Sequence, residues 1–97
     1  MYYFYVLYSL KDGRLYKGST GDIGQRLLRH NAGATASTKH RRPLILIYVE
    51  AFPDKSGATA RERWSKSLEG GAALRNILEE KDILDETGDL KCGSSAA

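Results

Sequence analysis

The sequence predicts one small α/β (α+β) domain, a three-stranded antiparallel sheet flanked by helices in the order strand, strand, helix, strand, helix, helix. Three observations carry this. Two runs rich in β-formers, Tyr2 to Tyr8 and Leu44 to Phe52, read as strands. Asp12-Gly13 follows the first run and signals a hairpin, because glycine tolerates the positive φ of a tight turn. Three further stretches place apolar residues at helical spacing. Nothing repeats as a strand–helix–strand unit, which argues against a doubly wound parallel sheet. Ninety-seven residues suffice for one domain with a thin core.

Residues 2–10 are apolar on both faces, as expected of a central, covered strand. Residues 14–19 form the return strand. A two-residue loop at Asp12-Gly13 would set Ser9 opposite Tyr16 and Leu7 opposite Gly18. Tyr5, Leu7, Ser9, Tyr16 and Gly18 then share one face. Asp22 suits a helix N-cap, with Gln25 completing a capping box. That helix runs to Asn31, read as a cap, before Ala32-Gly33 ends it. Ile23, Leu27 and Leu28 give it a short apolar stripe, and Arg26 and His30, four apart, lie on one face. Residues 32–42 read as an exposed basic loop, and Pro43 opens the third strand. A second helix is expected from a Ser56 cap to Leu68, with Ala60, Arg61, Trp64 and Leu68 inward and Gly70-Gly71 ending it. Leu74, Ile77 and Leu78 mark a third helix over 72–84. The organisation expected is a domain over 1–84 and a polar, flexible tail over 85–97.

A hydrophobic fraction of 41% is ordinary for a globular chain. The net charge of +3 is unevenly placed: residues 1–66 hold 12 Lys+Arg against 5 Asp+Glu, and residues 67–97 hold 3 against 7. The basic portion suits a polyanion, since lysine and arginine displace the counterions condensed on phosphates; a solvated surface is the plainer reading. The single cysteine, Cys92, allows no intramolecular disulfide and fits the reducing cytoplasm. No basic segment precedes an apolar run, so neither a secretory leader nor a membrane span is expected.

The chemistry concentrates in Tyr3-Phe4-Tyr5, Tyr16-Lys17-Gly18 and the block Asp22 to Asn31. An arginine forks to two phosphate oxygens and keeps its charge. A histidine one turn on moves a proton near neutral pH, and a tyrosine beside a cation serves as a general base or holds the attacking water. Each residue also has an ordinary reading. Tyr5 is a core aromatic, Arg26 an exposed helix arginine, and His30 a helix-end residue favoured by the dipole. Glu62 pairs with Lys66 on a solvated helix.

This order and spacing resembles the GIY-YIG nuclease family over roughly residues 2–80. The likeness is greatest to its small stand-alone members and extends to the N-terminal module of the excinuclease C subunit. Tyr5 matches the tyrosine ending the first motif, with Tyr3-Phe4 in place of Gly-Ile. Tyr16 and Gly18 match the ends of the second, with Lys17 where an aliphatic residue is common. Arg26 and His30 match the family's helix residues. Glu62, in Ala60-Arg61-Glu62-Arg63-Trp64, matches the segment that holds one Mg²⁺ or Mn²⁺ ion, with Glu50 and Asp54 as substitutes. Asn76 is the candidate for a supporting asparagine.

The resemblance implies a metal-dependent endonuclease hydrolysing phosphodiesters, in DNA rather than RNA, in repair or recombination. Tyr5, Tyr16, Arg26 and His30 would be catalytic and Glu62 the metal ligand. Arg29, Lys39, Arg41 and Arg42 are expected to grip the nucleic-acid backbone. Two other readings compete: a non-catalytic nucleic-acid-binding module that keeps the fold, and a protein whose tyrosines only pack. The first has no need of Glu62, and the second none of Arg26 and His30 on one face. So small a domain has little area for base readout, so it either cleaves with low sequence selectivity, reads a DNA shape, forms a homodimer, or relies on a partner protein.

Overall fold

In the computed structural model, which describes residues 1–36, 38–85 and 89–90, the strand β1 (Tyr2–Ser9) lies between two antiparallel partners. These are β2 (Leu15–Thr20) on one side and β3 (Leu44–Phe52) on the other. The apolar run of β1 is explained by this place: every residue from Phe4 to Ser9 is buried. The helices are α1 (Ile23–Asn31), α2 (Lys55–Ser65) and α3 (Leu68–Glu80), with a single 3₁₀ turn over Lys39–Arg41 before β3. The expected order, strand, strand, helix, strand, helix, helix, is the order found.

The hairpin register differs from the expected one by two residues. Tyr5 stands opposite Gly18 and Leu7 opposite Tyr16. The loop is four residues long, Leu10 to Gly13, closed by bonds from Ser9 N to Arg14 O and from Gly13 N to Ser9 O, each 2.9 Å. Gly13 supplies the left-handed residue, with φ +72°. The buried Ser9 hydroxyl accepts from the amides of Lys11 and Asp12, which tightens the longer turn. A shift of two leaves side-chain parity unchanged, so Tyr5, Tyr16 and Gly18 still share a face. On the other side, the β1–β3 pairing shifts between Val6 and Leu7, which face Tyr48 and Leu46, leaving Ile47 as a bulge.

Asp22 caps α1 as expected: its Oδ1 accepts from Gln25 N at 3.0 Å. Asn31 does something different from the helix cap expected of it. Its Oδ1 accepts from Leu44 N (2.8 Å) and its Nδ2 donates to Leu44 O (2.9 Å), so one amide side chain pairs with the first residue of β3 as a neighbouring strand would. α1 is thereby fastened to β3, and Ile23 and Leu27 pack with Tyr5, Leu7, Leu44 and Leu46.

The boundary between α2 and α3 departs from expectation. Asp54, not Ser56, heads α2, accepting from Gly57 N at 2.9 Å. Leu68 does not join the inward face of α2; it opens α3 and is 93% exposed. Ser67 caps α3, accepting from Gly70 N at 3.0 Å. Gly70-Gly71 therefore lies in the first turn of a helix and does not end one. Gly70 is buried against the Trp64 carbonyl, where a Cβ would collide. The chain's contacts group into two units, Met1–Arg63 and the portion from Trp64 onward. In the second, Leu74 and Leu78 are buried along α3. The expected tail at 85–97 lies mostly outside the described residues. No helix among them is long and apolar enough to cross a membrane.

The Asn31 tether yields the first test. Asn31→Ala should destabilise the protein by about 1–3 kcal/mol, because the Leu44 amide and carbonyl lose their partners in a partly buried setting. Urea unfolding measures it, with an unchanged m-value expected.

Candidate active site

The centre of the site is a contact that only glycine permits. Tyr5 lies directly across from Gly18, and a Cβ on Gly18 would fall 2.5 Å from the Tyr5 hydroxyl oxygen and 2.6 Å from Cζ. The missing side chain lets the phenol ring lie over the neighbouring strand. From there its hydroxyl meets Nε2 of His30 at 3.1 Å. His30 is fully buried, and its other nitrogen, Nδ1, stands 2.8 Å from the hydroxyl of Thr38, also fully buried. Tyr16 completes the cluster. Its ring is 4.9 Å from that of His30 and 6.5 Å from that of Tyr5, and it is only half-buried.

Charges surround this cluster. Burial holds the Tyr5 phenol well above its ordinary range, with Tyr16 and Glu62 adding to the effect and Arg26 opposing it. Tyr5 therefore keeps its proton at neutral pH. Burial lowers the His30 pKa, and the positive charges of Arg26 and Arg29 lower it further, so the imidazole is neutral. Arg26 thus acts on both buried groups. Glu62, on α2, is close enough to Tyr5 to be felt electrostatically, and its Oε1 accepts from Ser19 Oγ on β2 at 2.7 Å. Arg26 also lines an open cleft of about 190 Å³ with Tyr2, Ser19, Thr20, Gly21, Lys55 and Ala58. Its two cations, Arg26 and Lys55, suit a phosphate group, while the Ser19 hydroxyl is given to Glu62 and that of Thr20 to the Asp22 carbonyl.

Tyr5, Tyr16 and His30 are thus in mutual contact, while Arg26 and Glu62 are linked to Tyr5 by charge. The other acidic residues considered are engaged elsewhere. Glu50 is forked by Arg61 at 2.7 and 3.2 Å and accepts from the Tyr48 hydroxyl at 2.7 Å. Asp54 caps α2, and the Gly57 amide and Ser56 hydroxyl lower its pKa. Asn76 is exposed on α3. The basic residues divide. Arg29 and Lys39 are exposed, and Lys39 lines a second open groove of about 560 Å³ with Lys11, Asn31, His40, Arg42 and Pro43. Arg42 is spent partly on the backbone: Nε donates to Lys39 O at 2.9 Å and a terminal nitrogen to Asn31 O at 3.4 Å. Arg41 stands 3.8 Å from Asp12.

Sequence reasoning missed Thr38 and Ser19. Thr38 sits in a loop of small polar residues where no periodicity marks one as buried. Ser19 carries no motif of its own, although it directly follows Gly18. Both are found only once the chain closes.

Among the described residues no three His, Cys, Asp or Glu side chains gather as a metal cage. The donor set at Glu62, one hard carboxylate beside the Ser19 hydroxyl, fits a largely hydrated Mg²⁺ or Mn²⁺ ion that takes its other ligands from water and substrate. It does not fit a closed zinc site.

The sequence profile of the GIY-YIG catalytic domain matches residues 1–71. A UPF0213 protein of Staphylococcus saprophyticus is 42% identical over 79 residues, 80% of this chain and 95% of its own. One from Lactiplantibacillus plantarum is 46% identical over 79 residues, 78% of this chain and 77% of its own. One from Natronomonas pharaonis is 39% identical over 88 residues, 90% of this chain and 95% of its own. Among solved structures, a UPF0213 protein of Bacillus halodurans is 33% identical, with 79% of this chain and 85% of that chain covered and a TM-score of 0.48.

The buried neutral histidine predicts a pH dependence. The folded His30 pKa lies below the ordinary 6.5, so the unfolded chain binds the proton more tightly. Stability from this residue is fully present above pH 6.5 and is lost as pH falls from there towards the folded value. The thermal midpoint should therefore drop as pH falls from 7 to 5, and His30→Gln should flatten that slope. Parallel slopes for the two proteins would contradict a neutral His30.

Proposed function

The chain belongs to the GIY-YIG nuclease family, and from that premise we propose that it is a divalent-metal-dependent endonuclease cutting phosphodiester bonds in DNA. The observation that carries this reading is the gathering of unlike groups about one hydroxyl. Tyr5 is bonded to His30, packed near Tyr16, and within the electrostatic reach of Arg26 and Glu62. A packing aromatic needs none of these charges. A binding module has no use for a carboxylate beside its phosphate cleft, where it would repel the ligand.

Residue roles follow from exposure and protonation. The cleft that Arg26 shares with Lys55, Ser19 and Thr20 receives the scissile phosphate, and the guanidinium neutralises charge growing on its oxygens. Tyr16, half-exposed, is the tyrosine that meets the substrate and positions the attacking water. Tyr5, only 2% exposed, is the proton's destination rather than a binding group. As the water's O–H bond breaks, its proton goes to the Tyr5 oxygen and the phenol proton passes to His30 Nε2. The water oxygen bonds to phosphorus, the opposite P–O ester bond breaks, and the leaving oxygen takes a proton from solvent. Glu62, held by Ser19, would hold the ion, which when bound supplies charge neutralisation and stabilises the leaving oxygen.

Lys39 and Arg29, exposed near α1 and the 3₁₀ turn, grip flanking phosphates, with Arg41 and Arg42 adding charge as they hold the loop in place. Such contacts position a strand without reading its sequence. We place the activity in a module spanning residues 1–84, in the cytoplasm, in DNA repair or recombination. A second copy or a partner protein would supply selectivity.

The test is a nicking assay on branched, single-stranded and duplex DNA, with matching RNA, in Mg²⁺ or Mn²⁺ and in EDTA. The wild type should cleave DNA only with metal. Arg26→Ala and Glu62→Gln should each lose about 10²–10³ in rate while their circular dichroism stays that of the wild type. Folded variants cutting at the wild-type rate would overturn the roles given to them. Metal-independent binding with no cutting of any substrate would favour the binding module.

A further inference from the structure

We propose that Thr38 is a positioning residue that holds His30 in the Nδ1–H tautomer, leaving Nε2 unprotonated to take the Tyr5 phenol proton. The inference rests on the nuclease reading for its purpose but on geometry for its substance.

A neutral imidazole has one N–H and one lone pair, and here each ring nitrogen faces a hydroxyl, Tyr5 at 3.1 Å and Thr38 at 2.8 Å. Two arrangements satisfy the ring. In one, the Tyr5 hydroxyl donates to Nε2 and Nδ1–H donates to Thr38 Oγ1. In the other, Thr38 donates to Nδ1 and Nε2–H donates to Tyr5. Both hydroxyls are buried, and neither has another hydrogen-bond partner among the described residues. Whichever one accepts from the ring therefore leaves its own proton unmatched. A phenol is far more acidic than an aliphatic hydroxyl, so stranding the Tyr5 proton costs more than stranding that of Thr38. The first arrangement is favoured, and it is the one in which Nε2 can receive a proton.

Thr38 is well fixed for the task. Its carbonyl accepts from Arg41 N at 2.9 Å, and its amide donates to Thr35 O at 3.2 Å. The Arg41 carbonyl in turn accepts from the buried Ser9 hydroxyl at 2.6 Å. The 3₁₀ turn that follows Thr38 is thereby pinned to the end of β1, the strand that carries Tyr5. The loop is thus more than a bearer of cations: it fixes, through Thr38, which nitrogen of His30 holds the proton.

The groups facing His30 are Tyr5, Tyr16 and Thr38 by contact and Arg26 and Arg29 by charge. Among the described residues only Thr38 addresses Nδ1, so its removal isolates the effect.

The experiment is long-range ¹H–¹⁵N NMR of the histidine ring in the wild type, Thr38→Ser and Thr38→Val, beside single-turnover cleavage by the same proteins. The wild type and Thr38→Ser should show a protonated Nδ1 and an unprotonated Nε2. In Thr38→Val the buried Nδ1–H loses its acceptor, whereas the other tautomer loses only a donor to a lone pair, so the share of Nδ1–H should fall and single-turnover cleavage should slow about tenfold or more. A wild-type Nε2–H, or an unshifted tautomer in Thr38→Val, overturns the proposal. Thr38→Ala replaces Thr38→Val should the latter not fold, and the wild-type spectrum decides by itself which nitrogen is protonated. An absence of cleavage by the wild type would count against the nuclease reading alone, since the tautomer is read independently of activity.

Discussion

The site depends on one close approach: the Tyr5 ring over Gly18, with its hydroxyl on His30. Three elements meet there, β1 through Tyr5, β2 through the missing side chain, and α1 through the imidazole. Each has its own support. β1 is buried between two partner strands, the Ser9 hydroxyl tightens the hairpin, and α1 is capped by Asp22 and tied to β3 by Asn31. A side chain at position 18 would displace the phenol and remove the reason for burying a histidine on α1. The energetic logic is that of a satisfied polar network. A buried phenol and a buried imidazole are each costly alone and acceptable as partners.

Electrostatics divides the labour between the buried and exposed parts of the site. Burial keeps Tyr5 protonated and His30 neutral, a donor facing an acceptor. Arg26 disfavours added positive charge at His30 and favours negative charge at Tyr5. Glu62 is negative charge at the rim, tied to Ser19, while Glu50 is neutralised by Arg61. Of these carboxylates, Glu62 is the one proposed to hold the ion, because it faces Ser19 and Tyr5 while Glu50 faces Arg61 and Tyr48.

Much of this was legible in the sequence, for physical reasons that differ by element. The central strand announced itself because burial on both faces demands an unbroken apolar run. The Asp22 cap was legible because capping is local. Tyr5, Tyr16 and Gly18 share a face in the expected and the observed hairpin register alike, because the two differ by an even number of residues. Other features depend on partners distant in sequence. Asn31 sits where helix-capping asparagines sit, and only the arrival of Leu44 shows what its amide does. Thr38 is one small polar residue among several, and its burial follows from the Ser9 bond to Arg41. Gly70-Gly71 looked like a helix end because glycine is a poor helix former. Ser67 capping and the close Trp64 carbonyl place it instead at a helix start.

The role proposed for the Tyr5–His30 pair depends on position 18 carrying no side chain. The most direct measurement is the single-turnover cleavage rate of Gly18→Ala, taken with its ¹H–¹⁵N correlation spectrum. The account predicts a spectrum that keeps the sheet, with His30 resonances displaced, and a cleavage rate lower by about 10² or more. A folded Gly18→Ala protein that cleaves as fast as the wild type would contradict it.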